Sequence, residues 1–164
     1  METYKINEQV ICKGKGAAEI IDIVKKDISG EQYKFYILRF FDEDYEVSIP
    51  TSNNSSIRKP ISQAEIPELF KFLEEKDVEV VKENWNKKTK RYTDKLRNGS
   101  IYDIADIIRE LNASRVYKKL SFGEKEFYKT AKGLLVQELA VFDNLSKDEL
   151  NRKVDNCFNE EEWI

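Results

Sequence analysis

The sequence predicts an α+β protein of two domains, a small open β-barrel of the SH3 or Tudor kind followed by an all-α five-helix bundle. Two observations predict this order: short alternating β-branched and aromatic runs fill residues 4–50, and apolar residues recur at three- and four-residue intervals after residue 60. A third is the run Thr51–Pro60, which is polar and ends in proline. We therefore expect one domain at residues 1–57 and a second at residues 61–164.

The composition indicates a soluble protein with a modest core. Of the 164 residues, 36 % are charged and 40 % hydrophobic, and the formal net charge is −3. No apolar run approaches the roughly 20 residues of a membrane span, and the first residues lack the apolar region of a signal peptide. We therefore expect a cytoplasmic protein that does not bind membranes.

The side-chain inventory argues against an enzyme. Histidine is absent, which removes the commonest general base, metal ligand and nucleophile partner. Cys12 and Cys157 lie far apart without metal-type spacing, so we expect two reduced thiols. An alternative is a hydrolase that uses Asp42–Asp44 or Glu160–Glu162, but consecutive acids on a turn or tail rarely converge in a pocket. The sequence therefore predicts no metal and no cofactor.

Four or five antiparallel strands are predicted in the first domain, because the connections between the runs are short. The runs are Tyr4–Ile6, Gln9–Cys12, Glu19–Val24, Tyr33–Phe41 and Tyr45–Pro50. The last run ends in proline, as edge strands often do. We expect an exposed edge at Val47–Pro50 that can accept a strand from another protein.

Five helices are predicted after the linker, each opened by a residue of the kind that caps helix N-termini. The expected caps are Ser62, Asn84, Ser100, Ser121 and Ser146. Ser62 and Ser121 are each followed by Glu three residues later, the pattern of a capping box. The first helix is expected from Ile66 to about Glu75, and the second from about Trp85 to Arg97, where Asn98-Gly99 ends it.

The second helix concentrates positive charge in an acidic chain. Between Val81 and Ser100 there are seven Lys or Arg residues and two acidic ones. Such a face is typical of a surface that binds a polyanion, although a charge run can also be only a solvated helix face. A helical projection places Trp85, Thr89, Tyr92 and Leu96 on one stripe, with Lys87, Lys90 and Arg91 opposite and Lys88 and Lys95 flanking them.

Trp85 has two interpretations. It can be a core anchor, because it lies in line with Tyr92 and Leu96. It can also be an exposed wedge beside phosphate-binding lysines, because a residue in the first turn can share a helix face and still project past the end of the bundle.

Several short motifs follow one another along nearly the whole chain. They are Tyr4-Lys5-Ile6, Val10-Ile11, Gly16-Ala17-Ala18, Gly30-Glu31-Gln32, Val47-Ser48-Ile49-Pro50, Asn84-Trp85, Lys95-Leu96 with Gly99, and Leu120-Ser121 with Gly123-Glu124-Lys125. In this order and at these intervals, the chain resembles the CarD/CdnL family of bacterial transcription regulators. The first domain of that family is shared with the transcription-repair coupling factor.

The resemblance implies that the first domain has a Tudor-like fold and docks on the β subunit of RNA polymerase through its edge strand. The corresponding residues here are Val47, Ser48, Ile49 and Pro50, with Lys26 on a neighbouring loop. The family has a basic residue where this chain has Ser48.

For the helical domain, the resemblance implies contact with promoter DNA at the upstream edge of the melted region. The tryptophan that corresponds to Trp85 wedges into the minor groove, and residues that correspond to Lys87 and Lys88 hold phosphates. The expected DNA-binding set is Asn84, Trp85, Lys87, Lys88, Lys90 and Arg91. A wedge that favours open DNA stabilises the open promoter complex, and phosphate contacts give no base specificity.

The sequence therefore predicts a monomeric regulator without catalytic activity, associated with the nucleoid through RNA polymerase. A second hypothesis is an RNA-binding or ribosome-associated module, because Val10 to Ile23 with its glycine turn also resembles a KOW-type strand-loop-strand. Capture of the polymerase β subunit, or of ribosomal particles, separates the two hypotheses.

Overall fold

Five β-strands and then five α-helices follow one another in the computed structural model, which describes residues 3–142 and 145–158. The chain divides into two units, residues 1–60 and residues 61–164. Each unit has its own hydrophobic core. The α+β layout predicted from the sequence is therefore confirmed.

The strands of the first unit are β1 Gln9–Cys12, β2 Gly16–Ile28, β3 Glu31–Phe40, β4 Glu46–Pro50 and β5 Ile57–Arg58. They form one antiparallel sheet in the order β4-β3-β2-β1-β5, so β4 lies at an edge, as its terminal proline predicts. The register of β2 against β3 shifts between Ile20 and Asp22. Such a bulge bends a strand and increases its twist.

The first unit, residues 1–60, is called the sheet unit below. Its core is built from small, aliphatic and aromatic side chains. Its buried members are Tyr4, Val10, Cys12, Ala18, Ile20, Tyr36, Leu38, Phe40 and Ile57. In the edge strand, Val47 and Ile49 pack against this core while Ser48 is exposed. The alternation of β4 therefore leaves Ser48 in solvent.

Two details of the sheet differ from the prediction. Tyr4–Ile6 forms no strand, because the chain turns at Asn7, which has a left-handed φ of 73°. Ile57–Arg58, predicted within the linker, pairs with β1 as β5. A strand of two residues is too short to show an alternating pattern, and its pairing extends the first unit to residue 60.

The helical unit opens with a 3-10 turn at Gln63–Glu65. The helices that follow are α1 Ile66–Glu74, α2 Trp85–Asn98, α3 Ile101–Tyr117, α4 Phe122–Ala140 and α5 Lys147–Asn156. All five predicted helices are confirmed. Within the part of the chain that the structure describes, no helix has the length and apolar character of a membrane span.

Three of the five predicted caps make their side-chain hydrogen bonds. These are Asn84 before α2, Ser121 before α4 and Ser146 before α5. Ser62 and Ser100 make none. After Ser62 the chain forms the 3-10 turn Gln63–Glu65, and α1 begins at Ile66, as predicted.

Every helix contributes to the core of the helical unit. Examples are Leu69 of α1, Tyr92 of α2, Ile108 of α3, Leu135 of α4 and Leu150 of α5, each fully buried. Residues 107–114 of α3 are all buried, including polar ones. Since a buried charge is costly unless it is paired, the polar residues of α3 need partners from other elements.

Candidate nucleic-acid interface at the start of α2

Trp85, the first residue of α2, is 45 % exposed. Its indole ring lies 6.1 Å from the ring of Phe127 in α4, measured between centroids. Tyr92, and not Trp85, is the aromatic residue that α2 buries fully in the core. The indole is therefore partly supported by the protein and partly open to solvent.

The start of α2 is fixed by Asn84. Its side-chain Oδ1 accepts a hydrogen bond from the Lys87 backbone N–H at 2.9 Å. This bond satisfies one of the N–H groups that a helix N-terminus leaves without a partner. Asn84, expected to bind DNA, therefore also determines where Trp85 enters the helix.

Gly123 supports the indole from α4. A Cβ atom at this position would lie only 2.3 Å from Cζ2 and 2.5 Å from Cη2 of Trp85. Any other residue would have to displace the ring, because non-bonded carbon atoms do not approach so closely. The absence of a side chain at Gly123 therefore allows Trp85 to rest on the first turn of α4.

We expect Gly123→Ala to displace the indole and to lower the free energy of unfolding by about 1–2 kcal/mol, because the added methyl overpacks this contact. The measurement is Trp85 fluorescence in a Trp163→Phe background, which leaves one of the two tryptophans of the chain. Gly133→Ala is the control, since a Cβ on Gly133 of α4 meets nothing within 4 Å. Identical Trp85 spectra for the two variants would show that Gly123 does not position the ring.

Lys88 is buried, with only 8 % of the residue exposed. Its Nζ lies 3.5 Å from Oε2 of Glu124 in α4. The other oxygen of Glu124, Oε1, accepts a hydrogen bond from the Ser121 N–H at 3.2 Å and lies 3.6 Å from Nζ of Lys118. The prediction that Lys88 flanks the exposed face of α2 is therefore wrong, because its ammonium group is held against the start of α4.

The environment of Glu124 favours its charged form. Burial acts to raise the pKa of this carboxyl, but hydrogen bonds with Ser121 and the nearby ammonium groups of Lys88 and Lys118 hold the pKa below its ordinary value of 4.5. A carboxyl whose pKa is lowered by folding adds stability above that ordinary value, and this stability is lost as the pH falls through the lower folded value.

Glu124→Gln should lower the free energy of unfolding at neutral pH by about 2 kcal/mol, since it removes the negative charge that pairs with Lys88 and Lys118. The difference from wild type should shrink as the pH falls below 4.5, because wild-type Glu124 then takes up its proton. Thermal melts from neutral to acidic pH measure this difference in stability. The control is Glu126→Gln, because Glu126 is exposed. A difference that stays constant with pH would mean that the charge of Glu124 contributes nothing.

Arg91 is held by two carboxylates. Its Nε and Nη2 donate to Oε1 of Glu83 at 2.9 and 2.5 Å, and its Nη1 and Nη2 donate to the two oxygens of Glu110 at 2.8 and 2.6 Å. The hydrogen bond from Arg91 also lowers the pKa of Glu83. Glu110 lies on α3 and is 4 % exposed. The prediction that Arg91 lies on the free face of α2 is therefore wrong, because Arg91 joins α2 to α3 and to the segment before Trp85.

Lys87 and Lys90 are exposed on α2. Unlike Lys88 and Arg91, neither has an ion-pair partner among the residues that the structure describes. The predicted DNA-binding set therefore separates into two groups. Asn84, Trp85, Lys87 and Lys90 are exposed, while Lys88 and Arg91 attach the helix to its neighbours.

The residues expected to contact the polymerase lie on two strands. Lys26, predicted on a loop, lies within β2 opposite Tyr33, and its Nζ is 5.1 Å from the centroid of the Phe35 ring. Ser48 is exposed at the centre of β4. Of the acids considered for a hydrolase, Asp42–Asp44 are exposed on the β3–β4 turn and Glu160–Glu162 lie outside the described residues.

Comparison with known proteins identifies the class. The CarD-like/TRCF RID domain matches residues 4–61, and the CarD C-terminal domain matches residues 68–155. A protein of Bacillus subtilis (strain 168) described as "Putative transcription factor YdeB" is 24 % identical over 149 residues, which are 90 % of this chain and 97 % of that protein.

The protein is a transcription regulator, as the two family matches and the order of a five-stranded sheet unit and a helical unit indicate. The chain belongs to the CarD family. Membership points to a partner in the transcription machinery and supports the regulator over the ribosome-associated module.

Proposed function

We propose that this protein binds the β subunit of RNA polymerase through its sheet unit and stabilises the open promoter complex through the start of α2. The observation that carries the proposal is the half-exposed indole of Trp85, on a helix whose Lys87 and Lys90 have no ion-pair partner among the described residues. An apolar ring at the start of a helix that carries these cations fits a base step flanked by phosphates.

The proposed mechanism is differential binding. Inserting a ring between stacked bases requires unstacking, which costs a few kcal/mol per step. Where the strands are already parted, this cost is smaller, so Trp85 binds open DNA more tightly than closed DNA. A ligand that binds one state more tightly shifts the equilibrium toward that state. The protein therefore prolongs the open complex without any catalytic step.

Lys88 and Arg91 support this mechanism from within the protein. Lys88 holds the first turn of α2 against Glu124, and Arg91 holds Glu83, two residues before Trp85. A ring whose position is fixed before binding loses less conformational freedom when it meets DNA. In this proposal Lys87 and Lys90 contact phosphates, while Lys88 and Arg91 position the wedge.

For the polymerase, the proposed contact is the outer edge of β4. Main-chain hydrogen bonds from an added strand would supply affinity, and the exposed side chain of Ser48 together with Lys26 would supply specificity. The position of β4 at the end of the sheet order supports this arrangement.

Charge reversal tests the DNA arm. The variant Lys87→Glu with Lys90→Glu should abolish the effect on open-complex lifetime and reduce the slope of log affinity against log salt by about two. The control carries Lys71→Glu and Lys129→Glu, a pair of exposed lysines on α1 and α4. Equal behaviour of the two double variants would place the DNA-binding face elsewhere.

Capture on immobilised protein tests the polymerase arm. Lys26→Glu should weaken capture of the β subunit, and Ser48→Arg should strengthen it, because the family has a basic residue there. Recovery of ribosomal particles in place of polymerase would instead support the RNA-binding alternative.

A further inference from the structure

Phe122, the first residue of α4, is 80 % exposed. Exposing a phenylalanine ring to this extent gives up most of the free energy that burying it would provide. The ring has no place in either core cluster of the described residues. It is therefore available for contact with another molecule.

The backbone of Phe122 lies next to the contact between Trp85 and Gly123. Its chain neighbour Gly123 is the residue on which the indole rests, where an added Cβ would lie 2.3 Å from Cζ2 of Trp85. Consecutive Cα atoms are about 3.8 Å apart, so the backbone of Phe122 begins next to this contact. Two exposed aromatic side chains thus leave the helical unit where α2 and α4 both begin.

The surroundings are positively charged. Lys87 in α2, Lys119 before α4 and Lys125 in the first turn of α4 are exposed, and no partner for their ammonium groups occurs within residues 3–142 and 145–158. In the sequence from Lys119 to Lys125 the one acid is Glu124, which is buried and already held by Lys88 and Lys118, while the next acid along α4, Glu126, is exposed. This charge favours a polyanion over an apolar or acidic protein surface.

We propose that Phe122 is a second DNA-contacting aromatic, which stacks on an unpaired base of the melted promoter strand next to the step that Trp85 occupies. The proposal rests on the proposed function of Trp85 and names the form of DNA that the site recognises. Trp85 is covered on one side by Gly123 and Phe127 and can offer only part of its ring. Phe122 is far more open, as stacking on a base requires.

An unpaired base is the chemistry that fits such a ring. In an intact duplex each base is already stacked on its neighbours, so the ring would have to replace an existing contact. A base released by melting has a free face, and stacking on an aromatic side chain is tolerant of its identity. Phe122 should therefore act only after the strands have parted.

The test uses the full chain with RNA polymerase on a promoter that carries a mismatched, permanently open bubble with 2-aminopurine at successive unpaired positions. Phe122→Ala should speed dissociation of the complex at least fivefold, the lower end of what one stacked base contributes. It should also remove the quenching of 2-aminopurine at one position. Phe122→Tyr should restore both, and Phe41→Ala, an exposed aromatic of the sheet unit, should change neither.

The outcomes separate this inference from the proposed function. If Trp85→Ala speeds dissociation and Phe122→Ala does not, only the inference about Phe122 fails. If wild type itself does not slow dissociation, the proposed function fails and this inference with it. If Phe122→Ala weakens polymerase capture without altering 2-aminopurine quenching, Phe122 contacts protein and the stacking proposal is overturned.

Discussion

Trp85→Ala is expected to shorten the lifetime of the open promoter complex about tenfold while leaving polymerase capture unchanged. An aromatic contact with bases contributes about 1–3 kcal/mol, and about 1.4 kcal/mol corresponds to a factor of ten. Since the indole is only half buried, its loss should lower the free energy of unfolding by about 1–2 kcal/mol, well below the cost for a fully buried aromatic.

Competitor-challenged dissociation of preformed complexes measures the lifetime, and chemical denaturation measures the stability. Trp85→Phe is the matched variant, because it keeps an apolar ring and should retain part of the effect. A variant that loses more than about 3 kcal/mol of stability with an unchanged complex lifetime would make Trp85 a packing residue.

Arg91→Ala is expected to lower the free energy of unfolding of the helical unit by about 3 kcal/mol. This value is at the low end of the cost of breaking a buried ion pair, because the Arg91 side chain is partly exposed. The substitution leaves Glu110 buried on α3 without a cation and frees Glu83. Arg91→Lys should recover little of this stability, since one ammonium group cannot bridge both carboxylates as the planar guanidinium does.

Denaturation followed by far-UV circular dichroism tests this result. Lys90→Ala is the control, since Lys90 is the exposed neighbour of Arg91 on the same helix. It should cost little in stability and should act on DNA affinity instead. Equal stability of the two alanine variants would return Arg91 to the phosphate-binding face predicted from the sequence.

Local signals were sufficient to predict most of the fold. The caps Asn84, Ser121 and Ser146 are each recognised by residues within one turn, and the structure confirms all three. Where the signal is only two residues long, as in β5, the same reasoning failed. The position of β4 at the sheet edge was predictable because Pro50 carries that information itself.

The candidate site was less predictable, because its decisive partners are distant in sequence. Glu110 lies 19 residues from Arg91 and Glu124 lies 36 residues from Lys88, so neither ion pair is visible in the helical pattern of α2. A projection of α2 alone treats every cation as solvent-facing. The support of Trp85 by Gly123 likewise depends on packing between α2 and α4.

Whether Trp85 is buried or exposed could not be predicted from the sequence, because that also depends on neighbouring helices. Its stripe with Tyr92 predicts a core position, and Tyr92 is indeed buried. Trp85, however, stands at the end of the helix, where the bundle covers only part of the ring. Helical periodicity reports which face a residue occupies and carries no information on where the neighbouring helices stop.

Footprinting of a promoter with RNA polymerase, with and without this protein, tests most directly whether Trp85 holds the upstream edge of the melted region open. We predict that the wild-type protein extends protection upstream and raises the permanganate reactivity of unpaired thymines, and that Trp85→Ala loses the added reactivity. Identical footprints for wild type and Trp85→Ala would contradict the account.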